Sequence, residues 1–529
     1  MSDDDTTPAS PTDTQNGADG SSSASPTTKK TTPSWGHKDT LGCLAILAFL
    51  LVLAAAWGAG FGVVAVVESV IRGRMEWWLV ALALVVPLVV LRARPRASLT
   101  VAVVAALIAA GYALGVHPWR VATVYAGDVQ QTADATDYRA RAPWVVAENY
   151  ASREQGEVVG NRLRTHYVPE SDGAAEVSRY TVLIERRAPL RLAGLEAVQE
   201  LRTPVTGAVP GSASGHCTVP EGMNRRIDSF WPWHSLRYAI WLQKPNAHFT
   251  AADAYGYCDG DSPVVVVPLW AYDGWFAVTK RPDGAAVYDA SGLRILSAEE
   301  LGDVEGPTYP RTLAEAQRVA LRGDGTLTGY WSAVTGYDTT AKDAEDANVG
   351  NTTEFTHVTG DGADLHYLTP LTPRGTSESI TAVSVVPARQ SASERAPLVV
   401  NSSPNLPATS TLATRIKESS VQGDVQWTNR WAAGMGVYEI LPGRDGHWVA
   451  SIGQGQAVSY RADIAPDGSV DVVNVETGAS SRTEAPQDDD SPTTDRPLSE
   501  MSREELLQLI LEATQELQRQ EGTENQDSP

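Results

Sequence analysis

Basic side chains are scarce in this chain: 42 lysines and arginines stand against 64 acids in 529 residues, for a formal net charge of −22. No long basic run occurs away from the apolar segments. Nucleic-acid binding needs clustered cations to neutralise phosphates, so the balance argues against a nucleic-acid partner. Also absent are a Walker A loop, an HExxH helix, a GxSxG elbow, a CxxC pair and a GxGxxG turn after a strand. Each is the local geometry of a common mechanism, and without them any catalysis has to be assembled from dispersed residues. The sequence therefore assigns no catalytic residue, no metal and no cofactor.

Cysteine is nearly absent too, with three in the whole chain. Cys43 lies in an apolar run, where a thiol behaves as a small hydrophobe. Cys217 and Cys258 share the large remaining region, and in an oxidising compartment such a pair is expected to form a disulfide, the alternative being two unrelated buried thiols. The bridge would close a loop of about 40 residues and stabilise the fold by about 3 to 4 kcal/mol.

What is present begins with a polar tail. Residues 1–39 hold almost no large apolar side chains, cannot offset the entropy of ordering, and are expected to be a disordered cytoplasmic segment. Residues 40–118 then read as three transmembrane helices. Leu41 to Val67 is a charge-free run of 27 residues, Trp77 to Leu91 an apolar run of 15 between arginines, and Ala97 to Val116 a charge-free run of 20 stopped by His117, Pro118 and Trp119. Lys29, Lys30 and Lys38 precede the first run, and Arg92, Arg94 and Arg96 sit between the second and third. Positive charge stays in the cytoplasm, so three crossings place everything after residue 119 outside it.

The rest predicts an α+β chain: a β-rich antiparallel region with a few short helices. Residues 119–205 read as a small β-rich module, with strands at Glu157 to Val168, Arg179 to Arg187 and Gly194 to Arg202. Thr203 to Gly215, rich in Pro, Gly and Ser, is the expected boundary to a larger β-rich module at 206–482. There, Pro263 to Trp270 reads as a strand buried on both faces, followed by a turn at Arg281-Pro282-Asp283-Gly284. Strands at Val437 to Leu441, His447 to Ile452, Ala457 to Ile464 and Val470 to Val475 are separated in part by Arg444-Asp445-Gly446 and Pro466-Asp467-Gly468. Helices are expected at Ser235 to Gln243, Thr312 to Arg322 and Thr409 to Glu418. Residues 483–497 form an acidic linker, 498–520 an amphipathic helix with an apolar stripe suited to self-association, a protein partner or its own domain, and 521–529 a disordered tail.

Three groups of residues are candidates for function. Trp231, Trp233, His234, Asp253 and Tyr255 lie at or between the paired cysteines, and aromatic faces beside carboxylates suit a glycan or peptide ligand; the competing reading is aromatic core beside a disulfide. Asp346, Asn348, Gly350, Asn351 and Glu354 resemble a calcium loop, but His357 stands where the bidentate glutamate belongs, which favours an ordinary turn. His357, Asp361, Asp364 and His366 match no defensible zinc spacing and read better as a hairpin with a polar turn.

In the stretches TAADAYGYCDGDSPVVVVPLW, EDANVGNTTEF, YLTPLTPRGTSESI and HWVASIGQGQAVSYRA, the chain resembles a family of actinobacterial membrane proteins with helices followed by an extracytoplasmic domain, some encoded on conjugative or integrative elements. The resemblance spans most of residues 40–480 and implies a role at the cell envelope, associated with conjugative transfer, but carries no catalytic residues to transfer. The function expected from all of this is a membrane-anchored extracytoplasmic binding or scaffold protein. The alternative is a membrane-anchored enzyme acting on envelope polymer.

Overall fold

The computed structural model describes residues 63–483, apart from 91–94, 133–135, 155–157, 170–176, 188–193, 206–212, 230, 333, 341–354, 363, 376–377, 420–426 and 479. Contacts divide the chain after Gly60, and every described element belongs to the unit that starts at Phe61. The tail at 1–39, most of the first apolar run, the calcium-like loop, nearly all of the linker at 483–497, the helix at 498–520 and the tail at 521–529 lie outside the described residues.

Helices open the described region. α1 (Val63–Arg72) turns at Gly73 into α2 (Met75–Val90), and α3 (Pro95–Gly111) continues through a π turn (Tyr112–Val116) into α4 (His117–Ala126). The Ser98 hydroxyl donates to the Pro87 carbonyl at 2.9 Å and ties α3 to α2. Three spans are expected from the sequence, yet among the described residues only Arg96–Ala126, 31 residues, is long and apolar enough to cross a membrane. Met75–Val90 is apolar but has 16 residues. The expected stop at His117-Pro118-Trp119 does not end the helix. Proline lacks an N–H and its ring crowds the carbonyl four residues back, but the π turn shifts the ladder there, with the His117 N–H reaching the Tyr112 carbonyl, and the helix runs on.

β1 (Val129–Thr132) and α5 (Trp144–Glu154) follow. An antiparallel meander comes next: β2 (Gly160–Tyr167), β3 (Val177–Arg186), β4 (Leu195–Pro204) and β5 (Ala213–Thr218). The stretch Thr203 to Gly215, expected to divide two modules, instead connects β4 to β5 in one sheet, where Arg202 faces Ala213 and Val198 faces Cys217. Turn-forming residues mark a hairpin as readily as a linker, and only pairing tells them apart.

α6 (Leu236–Gln243) starts at Ser235, whose hydroxyl accepts from the Tyr238 N–H at 3.3 Å. A second meander follows: β6 (Tyr255–Asp259), β7 (Ser262–Asp273), β8 (Thr279–Asp289) and β9 (Gly292–Leu296). Cys217 and Cys258 form a disulfide that fastens β5 to β6. Leu183 and Val198 of the first meander share one core with Val265, Val267 and Ile240. The expected turn at Arg281-Pro282-Asp283-Gly284 is absent, because β8 runs straight through it with Pro282 opposite Trp270. The register shifts beside that pair, Gly284 takes a φ of 80°, and its N–H leaves the ladder for the Gln390 side-chain oxygen at 3.2 Å. The proline and glycine that read as a turn build a bulge instead.

After α7 (Arg311–Gln317) and α8 (Leu327–Ser332) come β10 (Tyr337–Thr339), β11 (Phe355–Val358), β12 (Leu365–Pro373), β13 (Ile380–Pro387) and β14 (Leu398–Leu406). They form a sheet ordered β1-β14-β13-β12-β10, with β11 also on β12; β1 joins β14 in parallel and the other pairs are antiparallel. α9 (Thr409–Glu418) and α10 (Trp427–Ala432) lead to the last meander, β15 (Gly436–Pro442), β16 (Trp448–Gln454), β17 (Ala457–Ile464), β18 (Val470–Asn474) and β19 (Ser480–Thr483). The chain is thus α+β, with four mostly antiparallel sheets and few helices. One face of the last meander, with Ile440, Ala450, Ile452, Tyr460 and Ala462, packs on Leu406, Leu412 and Ile416.

Candidate functional site

Alternation along a strand sends successive side chains to opposite faces. Since Ile440, Ala450 and Ala462 point into the core, their neighbours Glu439, Ser451 and Arg461 point away from it, and the pairing sets them in one row: Glu439 opposite Ser451, Ser451 opposite Arg461. Leu441, Val449 and Asp463 make a second row. Tyr138 to Arg141 lies over this face, held by the Tyr138 N–H on the Gly443 carbonyl at 3.0 Å and the Asp445 N–H on Asp137 Oδ1 at 2.9 Å. With His357 of β11, these residues line a cavity of about 450 Å³.

Four arginines line it, 139, 141, 444 and 461, against Glu439, Asp445 and Asp463. They are in different circumstances. Arg141 is buried, its Nη2 2.9 Å from Glu439 Oε2, its Nη1 donating to the Tyr180 hydroxyl and the Ala142 carbonyl. Burial is the largest influence and works against its charge, but the Glu439 carboxylate together with Tyr180 and Tyr167 outweighs it, holding the guanidinium above its ordinary range. The other Glu439 oxygen accepts from the Trp144 N–H at 2.7 Å. Arg139 is spent on backbone, donating to the carbonyls of Gly360 at 3.2 Å and Asp361 at 2.9 Å. Arg461 is partly buried and donates to the Val205 carbonyl, its Nε has no acceptor, desolvation lowers its pKa, and among the described residues no carboxylate pairs with it.

His357 is 3% exposed, and neither ring nitrogen has a hydrogen-bond partner. Burial, with the Arg141 charge added, pushes its pKa well down, so the ring is neutral and presents one donor and one acceptor. Buried polar atoms are as a rule satisfied, and a buried ring beside the cavity whose two nitrogens find no partner among the described residues departs from that rule. At the mouth, His447 Nδ1 lies 2.8 Å from Asp463 Oδ1, both partly exposed.

No protein-family model, curated protein or solved structure matches this chain.

Residues singled out by sequence fall in several places. Trp231, Trp233 and His234 sit at a 3₁₀ turn (Pro232–His234), the two indoles 5.2 Å apart and Trp233 58% exposed. Asp253 and Tyr255 do not join them at the surface. Asp253 is 2% exposed and accepts from the Thr312 N–H at 3.2 Å and from its hydroxyl, while Tyr255 is 1% exposed and donates to the Glu305 carbonyl at 2.6 Å. A carboxylate and a tyrosine close in sequence to two tryptophans are here parts of the core, because β6 turns inward just after the 3₁₀ turn that carries Asp253. His357 and His366 face each other across the β11–β12 hairpin, whose turn is closed by the Thr359 hydroxyl on Asp361 Oδ1 at 2.6 Å. Among the described residues, no group of three or more metal-ligating side chains converges.

Arg141, Glu439 and Arg461 have no sequence signal of their own. Alternation in β15 and β17 predicts only that Glu439 and Arg461 leave the core face, as any solvated strand residue would.

Proposed function

We propose that this is a membrane-anchored binding protein of the cell envelope, with its β-rich body outside the cytoplasm and an anionic ligand received in the cleft between Tyr138–Arg141 and the last meander. The observation that carries the ligand reading is a pair of groups lining one cavity that find no such partner among the described residues: the Arg461 guanidinium without a carboxylate and the His357 ring without a hydrogen bond. A carboxylate or phosphate oxygen supplies what both lack, since a charge-assisted bond to a desolvated guanidinium is among the strongest polar contacts. A cavity of about 450 Å³ holds a ligand of small-molecule or short-peptide size.

The anchor reading rests on Arg96–Ala126 and on basic-residue placement, with Lys29, Lys30, Lys38, Arg92, Arg94 and Arg96 on the cytoplasmic side and two shorter apolar segments, 41–67 and 77–91, as further spans. Association with conjugative transfer has the family resemblance as its sole support.

The test is thermal shift of the full chain in detergent with inorganic phosphate, citrate and short peptides bearing a free C-terminal carboxylate. At least one of these is expected to raise the melting temperature of the parent, and Arg461→Met to weaken that probe at least tenfold, about 1.4 kcal/mol. Removing an unpaired desolvated cation should leave the ligand-free protein no less stable. No shift with any probe, or equal shifts in the variant, would overturn the anionic-ligand reading.

A second reading is favoured by the His447–Asp463 pair, in which a carboxylate orients an imidazole on the wall of the same cavity, a disposition suited to acid–base chemistry on an envelope polymer. Release of product from a glycan or peptide polymer that is lost in His447→Ala, with phosphate binding intact, would select this enzymatic reading.

A further inference from the structure

Among the large apolar side chains exposed on the β-rich body, Val159, Trp233 and Leu242 stand apart, while four others lie in two segments that meet the same helix. Trp275 (62% exposed) and Phe276 (70%) lie between β7 and β8, and Trp331 (53%) and Val334 (72%) lie at and after α8. Both loops are tied to the same short stretch of the long apolar helix. The Tyr112 hydroxyl donates to the Phe276 carbonyl at 3.1 Å, the Trp331 indole N–H to the Gly115 carbonyl at 2.8 Å, and the Trp119 indole N–H to the Gly325 carbonyl at 2.9 Å. Residues 112–119 cover about 10 Å of helix axis. From the α1–α2 turn, Arg72 donates to the Gly274 carbonyl at 2.7 Å and lies over the Trp275 ring at 5.2 Å. Gly73 packs so close to the Tyr272 hydroxyl that a Cβ there would collide with it.

The level of these contacts is informative. The helix is charge-free from Ala97 to Val116, turning Leu107 (67%) and Ile108 (70%) outward below the contacts and Leu114 (59%) outward among them; His117 and Arg120 follow at their upper end. The aromatic loops therefore meet the helix where its apolar run ends. Tryptophan, with an apolar ring and one N–H donor, favours the zone where hydrocarbon gives way to water.

We infer that Trp275, Phe276, Trp331 and Val334 form a collar that enters the lipid interface around the helix, so that the body is seated on the bilayer rather than held off it by a tether. The partner is the lipid of the membrane the protein is anchored in, at the boundary of headgroup and acyl chain. This rests on the anchor reading of Arg96–Ala126 and is independent of the cleft and its ligand.

The test uses the full chain with Cys43→Ser, reconstituted in phosphatidylcholine–phosphatidylglycerol vesicles and carrying one nitroxide label at a time, at Phe276→Cys, Val334→Cys, Leu107→Cys or Trp233→Cys. Collision rates with oxygen, which partitions into lipid, and with a water-soluble nickel chelate report depth. The oxygen-to-nickel ratio at 276 and 334 is expected to be severalfold above that at 233 and below that at 107. Labels at 276 or 334 as water-accessible as 233, with 107 deep in lipid, overturn the collar while the anchor stands. A water-accessible label at 107 overturns the anchor and the collar with it.

Discussion

Arg141 Nη2 lies 2.9 Å from Glu439 Oε2 with each side chain 4% exposed, and this ion pair fastens the segment after β1 to the last meander. Removing one partner strands a buried charge, so Glu439→Gln is expected to cost about 3 to 5 kcal/mol in urea denaturation. Arg141→Met with Glu439→Leu should recover most of the loss, because the desolvation of both charges is removed together. A double variant as unstable as the single one would mean that the pair is not buried as described.

Tyr255 and Trp233, neighbours in the aromatic stretch, separate by burial: Tyr255 is 1% exposed and Trp233 58%. Tyr255→Ala empties a packed site and loses the bond to Glu305, an expected loss of about 3 to 5 kcal/mol. Trp233→Ala should stay within about 0.5 kcal/mol of the parent. Thermal melting of the two variants reads this directly, and equal losses would contradict the assignment.

Cys217 and Cys258 join the first two meanders, 41 positions apart in sequence. The unfolded, non-reduced chain should then titrate one thiol, Cys43, and the Cys217→Ser, Cys258→Ser double variant should lose about 2 to 5 kcal/mol. Three reactive thiols in the untreated chain would rule the bridge out.

Acid should destabilise the fold through its buried histidines. Burial, with Arg164 and Arg311 adding to it, pushes His166 down to about 3, and burial with Arg141 does the same in direction to His357. An exposed histidine titrates near 6.5, so between about 6.5 and about 3 the unfolded chain binds a proton at position 166 that the folded one refuses. Stability conferred by the neutral ring is full above that window and falls as pH drops through it, by up to about 1.4 kcal/mol per pH unit per histidine. The stability advantage of the parent over His166→Gln, from denaturation midpoints at about pH 7 and about pH 5, should therefore shrink on acidification. An unchanged difference would show that His166 takes up a proton in the fold as readily as in the unfolded chain.

Much of the local structure is legible in the chain. Strands β2 to β4, β7 and β15 to β18 fall within a few residues of where alternation and turn residues put them, as does α9, and α6 starts at the serine that caps it. The cysteine pair follows from only two cysteines lying outside the apolar run, together with an oxidising compartment. Misreadings come where one local signal serves two tertiary outcomes. Pro282 and Gly284 suit a turn or a bulge, and β9 on the far side of β8 favours the bulge. Pro118 suits a helix stop or a proline after a π turn, and the body packed beside residues 112–119 accompanies the second.

The cleft shows the same division most sharply. Amino-acid order by itself determined that Glu439, Ser451 and Arg461 face away from the core, since a period of two is written in the strand. That their outer face is covered rather than bathed in water depends on Tyr138 to Arg141, some 300 positions earlier, crossing over it, and on His357 arriving from another sheet. Partial burial turns an ordinary strand arginine into a partly desolvated cation, and burial is a property of what lies on top, which only the tertiary structure decided.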